Sequence, residues 1–258
     1  MRRIALTIEY DGTDFAGFQT QGKGERTVQD ALSDAVCKLT RVESVTIHPA
    51  GRTDSGVHAL GQVVHFDCES DIDTGRMIIG LNGILPRDVG VKEIWEPGPE
   101  FHARFSATRR TYVYAILTRA YRSPIWDRYS LHEPKSLDLS AMRSAAKVLE
   151  GTHDFKSFAN SGGNPGSTTV RRIDRLQLKP ARGGELLLIV ISANAFLRSM
   201  VRNCVGALLE VGRGQLSGAE LKEILDGADR EANRCQTAAA KGLCLLKVDY
   251  AERSVAQI

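Results

Sequence analysis

The sequence predicts an α+β protein of two similar halves, each built on a mostly antiparallel sheet, with the two sheets joined across the middle. Three observations predict it. Arg3 to Tyr10 alternates, with Ile4, Leu6, Ile8 and Tyr10 on one side and Arg3, Thr7 and Glu9 on the other, which is the period of a half-buried strand. From Thr27 the apolar residues Val28, Ala31, Leu32, Ala35, Val36 and Leu39 recur at the spacing of an amphipathic helix. The second half then repeats this strand and helix grammar, which suggests a duplicated unit although no literal repeat is visible. The boundary falls near residue 105, giving an N-terminal unit of 1–105 and a C-terminal unit of 106–258.

The first strand ends at Asp11-Gly12-Thr13-Asp14, which is turn chemistry. Phe15 to Gln19 follows, a loop of aromatics and amides that can either touch a nucleic acid or plug the sheet. Thr27 is the expected N-cap of the first helix. Val45 to Ile47 and Leu60 to Phe66 read as strands on either side of a tight turn. Thr74 to Leu85 reads as a helix that stops before Pro86, and Val89 to Trp95 as the next strand. In the second half Thr111 to Leu117 is a strand by its β-branched and aromatic content. Ser140 to Leu149 has helical spacing, Asp154 to Phe158 reads as a short strand, and Asn160 to Ser167 as a glycine-rich loop. Leu176 to Leu178 and Leu186 to Ile191 are expected to pair. Ala195 to Val211 reads as a helix on which Arg198 and Arg202, four apart, share one face. Ser217 and Glu220 form a capping-box start, and Gly242 to Tyr250 makes the last strand.

Composition narrows the class. With 34 basic and 31 acidic residues the net charge of +3 argues only weakly for a polyanionic partner, but the distribution is uneven. Six arginines face a single acid, Asp127, between Phe101 and Ser130, whereas Asp67 to Glu100 holds eight acids and three bases. Arg171, Arg172, Arg175, Lys179 and Arg182 again face one acid, Asp174. The five cysteines are scattered and include no C-x-x-C pair, as for small buried thiols in a reducing compartment. Arg2 and Arg3 precede an apolar stretch broken by Thr7 and Glu9, which does not suit a signal core. No run approaches the roughly 20 apolar residues of a membrane span. The expectation is a soluble cytoplasmic protein.

The densest chemistry lies in Ala50-Gly51-Arg52-Thr53-Asp54-Ser55-Gly56-Val57-His58-Ala59. Asp, Ser and Gly make a tight turn. Residues two apart in extended chain point the same way, so Arg52 and Asp54 can project into one space with Thr53 turned aside. That sets a permanent cation beside a carboxylate on a turn mounted between strands. The plain alternative is a hairpin turn capped by its aspartate. His58 reads as structural, holding the turn through a ring hydrogen bond.

This segment resembles the Gly-Arg-Thr-Asp-x-Gly-Val-His-Ala motif of the tRNA pseudouridine synthase A family, and the resemblance extends from Tyr10 to Tyr250. Phe101-His102-Ala103-Arg104-Phe105-Ser106-Ala107-Thr108 is similar to the stretch that precedes the family's uracil-packing tyrosine, which Tyr112 matches. Ala193-Asn194-Ala195-Phe196 with Met200-Val201-Arg202-Asn203 is similar to the segment whose arginine pairs with the catalytic aspartate, and Arg202 matches that arginine. Gly242-Leu243 resembles the Gly-Leu pair before the family's last strand. Three departures stand out. Phe18 stands where the family usually has Trp, Thr111 where an arginine is common, and Ala238-Ala239-Ala240 lacks a proline often found there.

The resemblance implies two ferredoxin-like subdomains whose sheets join into one extended central sheet, with the active-site cleft between them. It implies isomerisation of uridine to pseudouridine at positions 38 to 40 of the tRNA anticodon arm, by a homodimer. Asp54 is then the catalytic residue, with Arg52 filling the space of a flipped base, Tyr112 stacking on the uracil, Arg202 serving the carboxylate, and Leu243 forming an apolar wall. The reaction involves no redox change and no net hydrolysis, so no cofactor or metal is demanded. An ionised carboxylate can attack C1′ or take the C2′ proton, and the sequence leaves both routes open. Two rivals remain. A non-catalytic tRNA-binding protein is disfavoured by the intact Asp54, Arg52 and Tyr112, and a carboxylate glycosidase by the lack of a second acid in the motif.

Overall fold

The opening strand forms where its alternation places it. β1 spans Arg2–Tyr10, and Ile4, Leu6, Ile8 and Tyr10 are all buried while Glu9 faces water. Each such apolar side chain contributes about 1.5–3 kcal/mol on burial, so one strand face anchors the sheet. The computed structural model describes residues 1–22, 24–160 and 168–251. It divides into two compact units, Met1–Thr108 together with Cys244–Ile258, and Arg109–Leu243.

In the first unit β1 is followed by α1 (Val28–Thr40), β2 (His48–Pro49), β3 (His58–Cys68), α2 (Thr74–Ile84) and β4 (Val89–Trp95), and the chain's last strand, β10 (Leu243–Tyr250), joins the same sheet. The strand order is β4-β1-β3-β10. β1 runs antiparallel to β3, with Leu6 opposite Val64, and antiparallel to β4, with Tyr10 opposite Val89. β10 is parallel to β3, with Cys244 opposite His58. Thr27 caps α1, its hydroxyl accepting the Asp30 amide at 3.2 Å. The strand expected at Val45 to Ile47 is reduced to the two residues of β2, where Pro49 has no amide hydrogen to extend a ladder. Phe15 and Phe18 are buried, so that loop plugs the sheet, and the Arg26 guanidinium lies 4.0 Å over the Phe15 ring.

The second unit is opened by β5 (Ala107–Leu117) and continues through β6 (Leu131–His132), α3 (Leu139–Leu149), β7 (Gly151–Asp154), β8 (Val170–Ala181), β9 (Leu186–Ala193), α4 (Met200–Gly212) and α5 (Gly218–Asp226). β5, β9, β8 and β7 lie in that order and are antiparallel throughout. Tyr114, Ile116, Ile189 and Ile191 form the sheet's buried layer, with Met142 and Leu149 of α3 and Leu208 of α4 also buried. The capping box of α5 forms as expected from Ser217 and Glu220.

Two expectations are corrected here. The segment after Asp154 is a 3-10 turn over Lys156–Phe158 rather than a strand, because the Asp154 carboxylate accepts the Lys156 amide at 2.9 Å and turns the chain. The α4 helix starts at Met200 instead of Ala195. The Asn194 side chain binds the amides of Arg172 and Ala195, and Ser199 takes a left-handed φ of 57° before the helix. Arg198 therefore stands outside the helix and shares no helical face with Arg202. The glycine-rich loop expected at Asn160 to Ser167 lies, beyond Asn160, outside the described residues. No described helix is long and apolar enough to cross a membrane. The class is α+β, as the alternation and helical spacing predicted.

Candidate active site

The turn that carries Asp54 is held from beneath on alternate residues. Gly51 offers its carbonyl to Gln62 Nε2 at 2.8 Å. Thr53 is bonded twice: its hydroxyl lies 2.8 Å from the Tyr10 hydroxyl, and its carbonyl accepts the Phe18 amide at 3.1 Å. Ser55 donates its hydroxyl to the Phe15 carbonyl at 3.1 Å. Arg52 is exposed, Thr53 buried and Asp54 half-buried, the alternation expected of an extended segment. Asp54 closes the turn through its own carbonyl, which accepts the Val57 amide at 3.2 Å, and Gly56 takes the positive φ of 76° that a residue without Cβ accepts at no cost.

The first loop fits against this turn so tightly that two glycines are required. A Cβ on Gly12 would lie 2.0 Å from the Val57 carbonyl oxygen, and one on Gly17, at φ 117°, would lie 3.1 Å from that of Thr53. The ring of His58 locks the same junction, its Nδ1 accepting the Gly12 amide at 3.0 Å. Asp11 Oδ1 lies 3.2 Å from that nitrogen. With an amide hydrogen aimed at it, Nδ1 serves as the acceptor of that bond.

In the second unit, the other residues singled out by sequence cluster around the face of β5. Tyr112 is 8% exposed and meets Phe196 edge-on, with ring centroids 5.3 Å apart. Arg202 donates Nε to the Ala238 carbonyl at 2.8 Å, and the Ala238 amide returns to the Arg202 carbonyl at 3.1 Å. Next to it, Tyr114 donates its hydroxyl to Ala239 at 2.8 Å. Burial drives the Tyr114 phenol upward, and the Arg202 cation opposes that rise. Gly242 packs so closely on the Tyr114 ring that a Cβ there would meet it at 2.6 Å, and Leu243 beside it is buried. Tyr112, Arg202 and Leu243 thus belong to one unit, while Arg52 and Asp54 belong to the other.

The structure adds the partners of polar side chains that the sequence could place only on a strand face. Tyr10, Gln62 and Tyr114 each sit on an apolar strand face, where periodicity marks them as buried without revealing what their polar ends bind. A third group surrounds the turn at Phe101 to Ser106. The rings of His48, His65 and His102 lie with centroids 4.6–5.5 Å apart, His48 stacked on His65 and His102 set edge-on or tilted to both, and His65 and His102 accept the amides of Ala103 and Arg104. Burial, and then the neighbouring His102, His48 and Arg3, lower the pKa of His65 to about 4, against a smaller opposing effect of Asp67. Burial also pushes the Cys244 thiol up to about 12, which suits a packing role and not that of a nucleophile.

Comparison with known proteins finds similarity along nearly the whole chain. A family model described as tRNA pseudouridine synthase matches residues 6–106 and 145–251. A tRNA pseudouridine synthase A of Roseiflexus castenholzii is 45% identical over 253 residues, covering 98% of this chain and 92% of that protein. The protein of the same name from Pseudothermotoga lettingae is 42% identical over 250 residues, covering 97% and 100%. Among solved structures, a chain of the archaeal box H/ACA sRNP Nop10-Cbf5 complex aligns with 92% of this chain and 59% of its own length, at a TM-score of 0.38 and 10% identity.

Proposed function

The chain belongs to the tRNA pseudouridine synthase family, and from that premise we propose that it isomerises uridine to pseudouridine at positions 38 to 40 of the tRNA anticodon arm, acting in the cytoplasm as a homodimer without a cofactor. The observation that carries this reading is the Asp54 turn. Thr53 before it is buried and bonded to Tyr10 and Phe18, and Ser55 after it is bonded to the Phe15 carbonyl, while the aspartate itself stays half-buried, which is the rigid mounting a reacting group needs.

The reaction breaks the bond between C1′ and N1, turns the uracil, and joins C1′ to C5. N1 ends with a proton and C5 loses one, so atoms and electrons balance within the nucleoside. In this reading the Asp54 carboxylate meets the electron-poor sugar, either adding to C1′ or removing the C2′ proton. Arg52, exposed beside it, fills the place of the base turned out of the stem. Tyr112 lies against the uracil, and its hydroxyl assists removal of the C5 proton. In the same reading Arg202 is the cation that serves the carboxylate and keeps it ionised, and Leu243 is the apolar wall against the base.

The purified protein is expected to convert uridine in the anticodon arm of an unmodified tRNA with no metal or nucleotide added. Asp54→Asn removes the charge at constant shape and is expected to abolish conversion while tRNA binding survives. Equal conversion by the two proteins ends the assignment.

A further inference from the structure

Three side chains beneath Asp54 have no part in the chemistry just described, and they form one connected device. Tyr10 is 4% exposed and Gln62 fully buried. The Tyr10 hydroxyl meets Thr53 Oγ1 at 2.8 Å, and the Gln62 side chain borders the same hydroxyl. Gln62 also reaches the opposite end of the motif, where its Nε2 holds the Gly51 carbonyl. The backbone is thus tied on both sides of Arg52 and immediately before Asp54.

Gln62 bears a cost in this position. Its Oε1 is buried with no hydrogen-bond partner among the described residues, and a buried polar atom left unbonded is destabilising. An apolar side chain of the same size in the β3 core would avoid it. The grip of Nε2 on Gly51 is therefore what the amide contributes, and a buried orphan of this kind calls for such an explanation. Tyr10 raises the same question. Its ring would pack equally well as phenylalanine, yet its hydroxyl is brought into the core and bonded to the residue next to Asp54.

We propose that Tyr10 and Gln62 are positioning residues for the reaction, acting through Thr53 and Gly51 to fix where the Asp54 carboxylate stands. The inference rests on the reading of Asp54 as the catalytic carboxylate. Reacting atoms must be held within a fraction of an ångström, and a displacement of about 1 Å can cost on the order of 100-fold in rate. Tyr10 and Gln62 touch no substrate in this scheme, so their loss acts on the chemical step and not on the capture of tRNA.

The test is single-turnover and steady-state conversion of unmodified tRNA by Tyr10→Phe, Thr53→Val, Thr53→Ser and Gln62→Met, beside Asp54→Asn, at a temperature where each variant is folded by circular dichroism. Tyr10→Phe, Thr53→Val and Gln62→Met are expected to lower kcat about 10- to 100-fold with KM and tRNA affinity close to wild type. Thr53→Ser restores the hydroxyl and is expected to keep most of the rate. The double variant Tyr10→Phe/Thr53→Val should be no slower than the worse single variant, because both remove one bond. A folded Tyr10→Phe with wild-type kcat, or a Thr53→Ser as slow as Thr53→Val, overturns the inference while an inactive Asp54→Asn leaves the proposed function standing. Should Tyr10→Phe fail to fold, the Thr53 pair decides alone. An active Asp54→Asn overturns both.

Discussion

At the scale of single residues, space matters as much as chemistry. Gly12 takes no left-handed conformation here; its requirement comes from the Val57 carbonyl, 2.0 Å from where a Cβ would sit. Because that obstacle is backbone, it can yield only by moving the motif. Gly12→Ala is expected to destabilise the protein by about 1–3 kcal/mol, the usual cost of overpacking, and to lower conversion further by displacing the turn. Thermal unfolding beside the conversion assay measures both, and an unchanged Tm with unchanged activity would show that the loop adjusts freely. The glycine was visible in the sequence as part of a turn, whereas its pressure on a residue 45 positions later was not. His58 is a contrasting case. A ring hydrogen bond holding the turn was expected from its place in the motif, and the structure supplies the partner, the Gly12 amide.

At the scale of an element, the turn from Phe101 to Ser106 depends on neutral imidazoles. His65 and His102 accept backbone amides through Nδ1, and a protonated ring has no lone pair left to accept with. The folded pKa of His65 is lowered from 6.5 to about 4, so between these values the unfolded chain binds more protons than the folded one. Stability from this group is complete above pH 6.5 and is lost as pH falls toward 4, by on the order of 2 kcal/mol. Urea unfolding is expected to show a lower midpoint at pH 5 than at pH 7.5. His65→Gln, which cannot titrate, should flatten that difference, and a variant with the wild-type pH dependence would move the effect to other groups. Burial of the ring is the largest cause of the shift, and His102, His48, Arg3 and Asp67, which face the same ring, adjust it. Caps and stops, by contrast, were legible locally. Thr27, Ser217 and Pro86 act within one turn of their own positions, and α1, α5 and α2 begin or end where those residues predict.

At the scale of the whole molecule, the uneven charge of the sequence becomes partly internal. Asp174 gathers Arg109 and Arg172 at 3.8 and 2.8 Å, Asp127 holds Lys241, and Glu185 faces Arg119. Arg110 is buried and donates to the Asn194 carbonyl. Arg122, Arg175 and Lys179 remain on the surface, where they can meet phosphates. Binding of tRNA is therefore expected to weaken with salt, with a log–log slope on the order of −2 to −4 at roughly one unit per phosphate neutralised, well below what a simple count of basic residues suggests. Titration of tRNA between low and physiological salt measures it. A flat response would remove these segments from the interface.

The sequence by itself determined the α+β class, most elements and their ends, and the family, because periodicity, caps and a contiguous ten-residue motif are local properties of a chain. The tertiary structure decided what the buried polar atoms hold. Only folding could bring Tyr10 and Gln62 under Thr53 and Gly51, lay β10 parallel to β3, seat Gly12 on Val57, and delay the start of a helix-like run until after Ser199. Each of these depends on a partner far along the chain or on a backbone angle, and neither leaves a signature in the spacing of apolar residues.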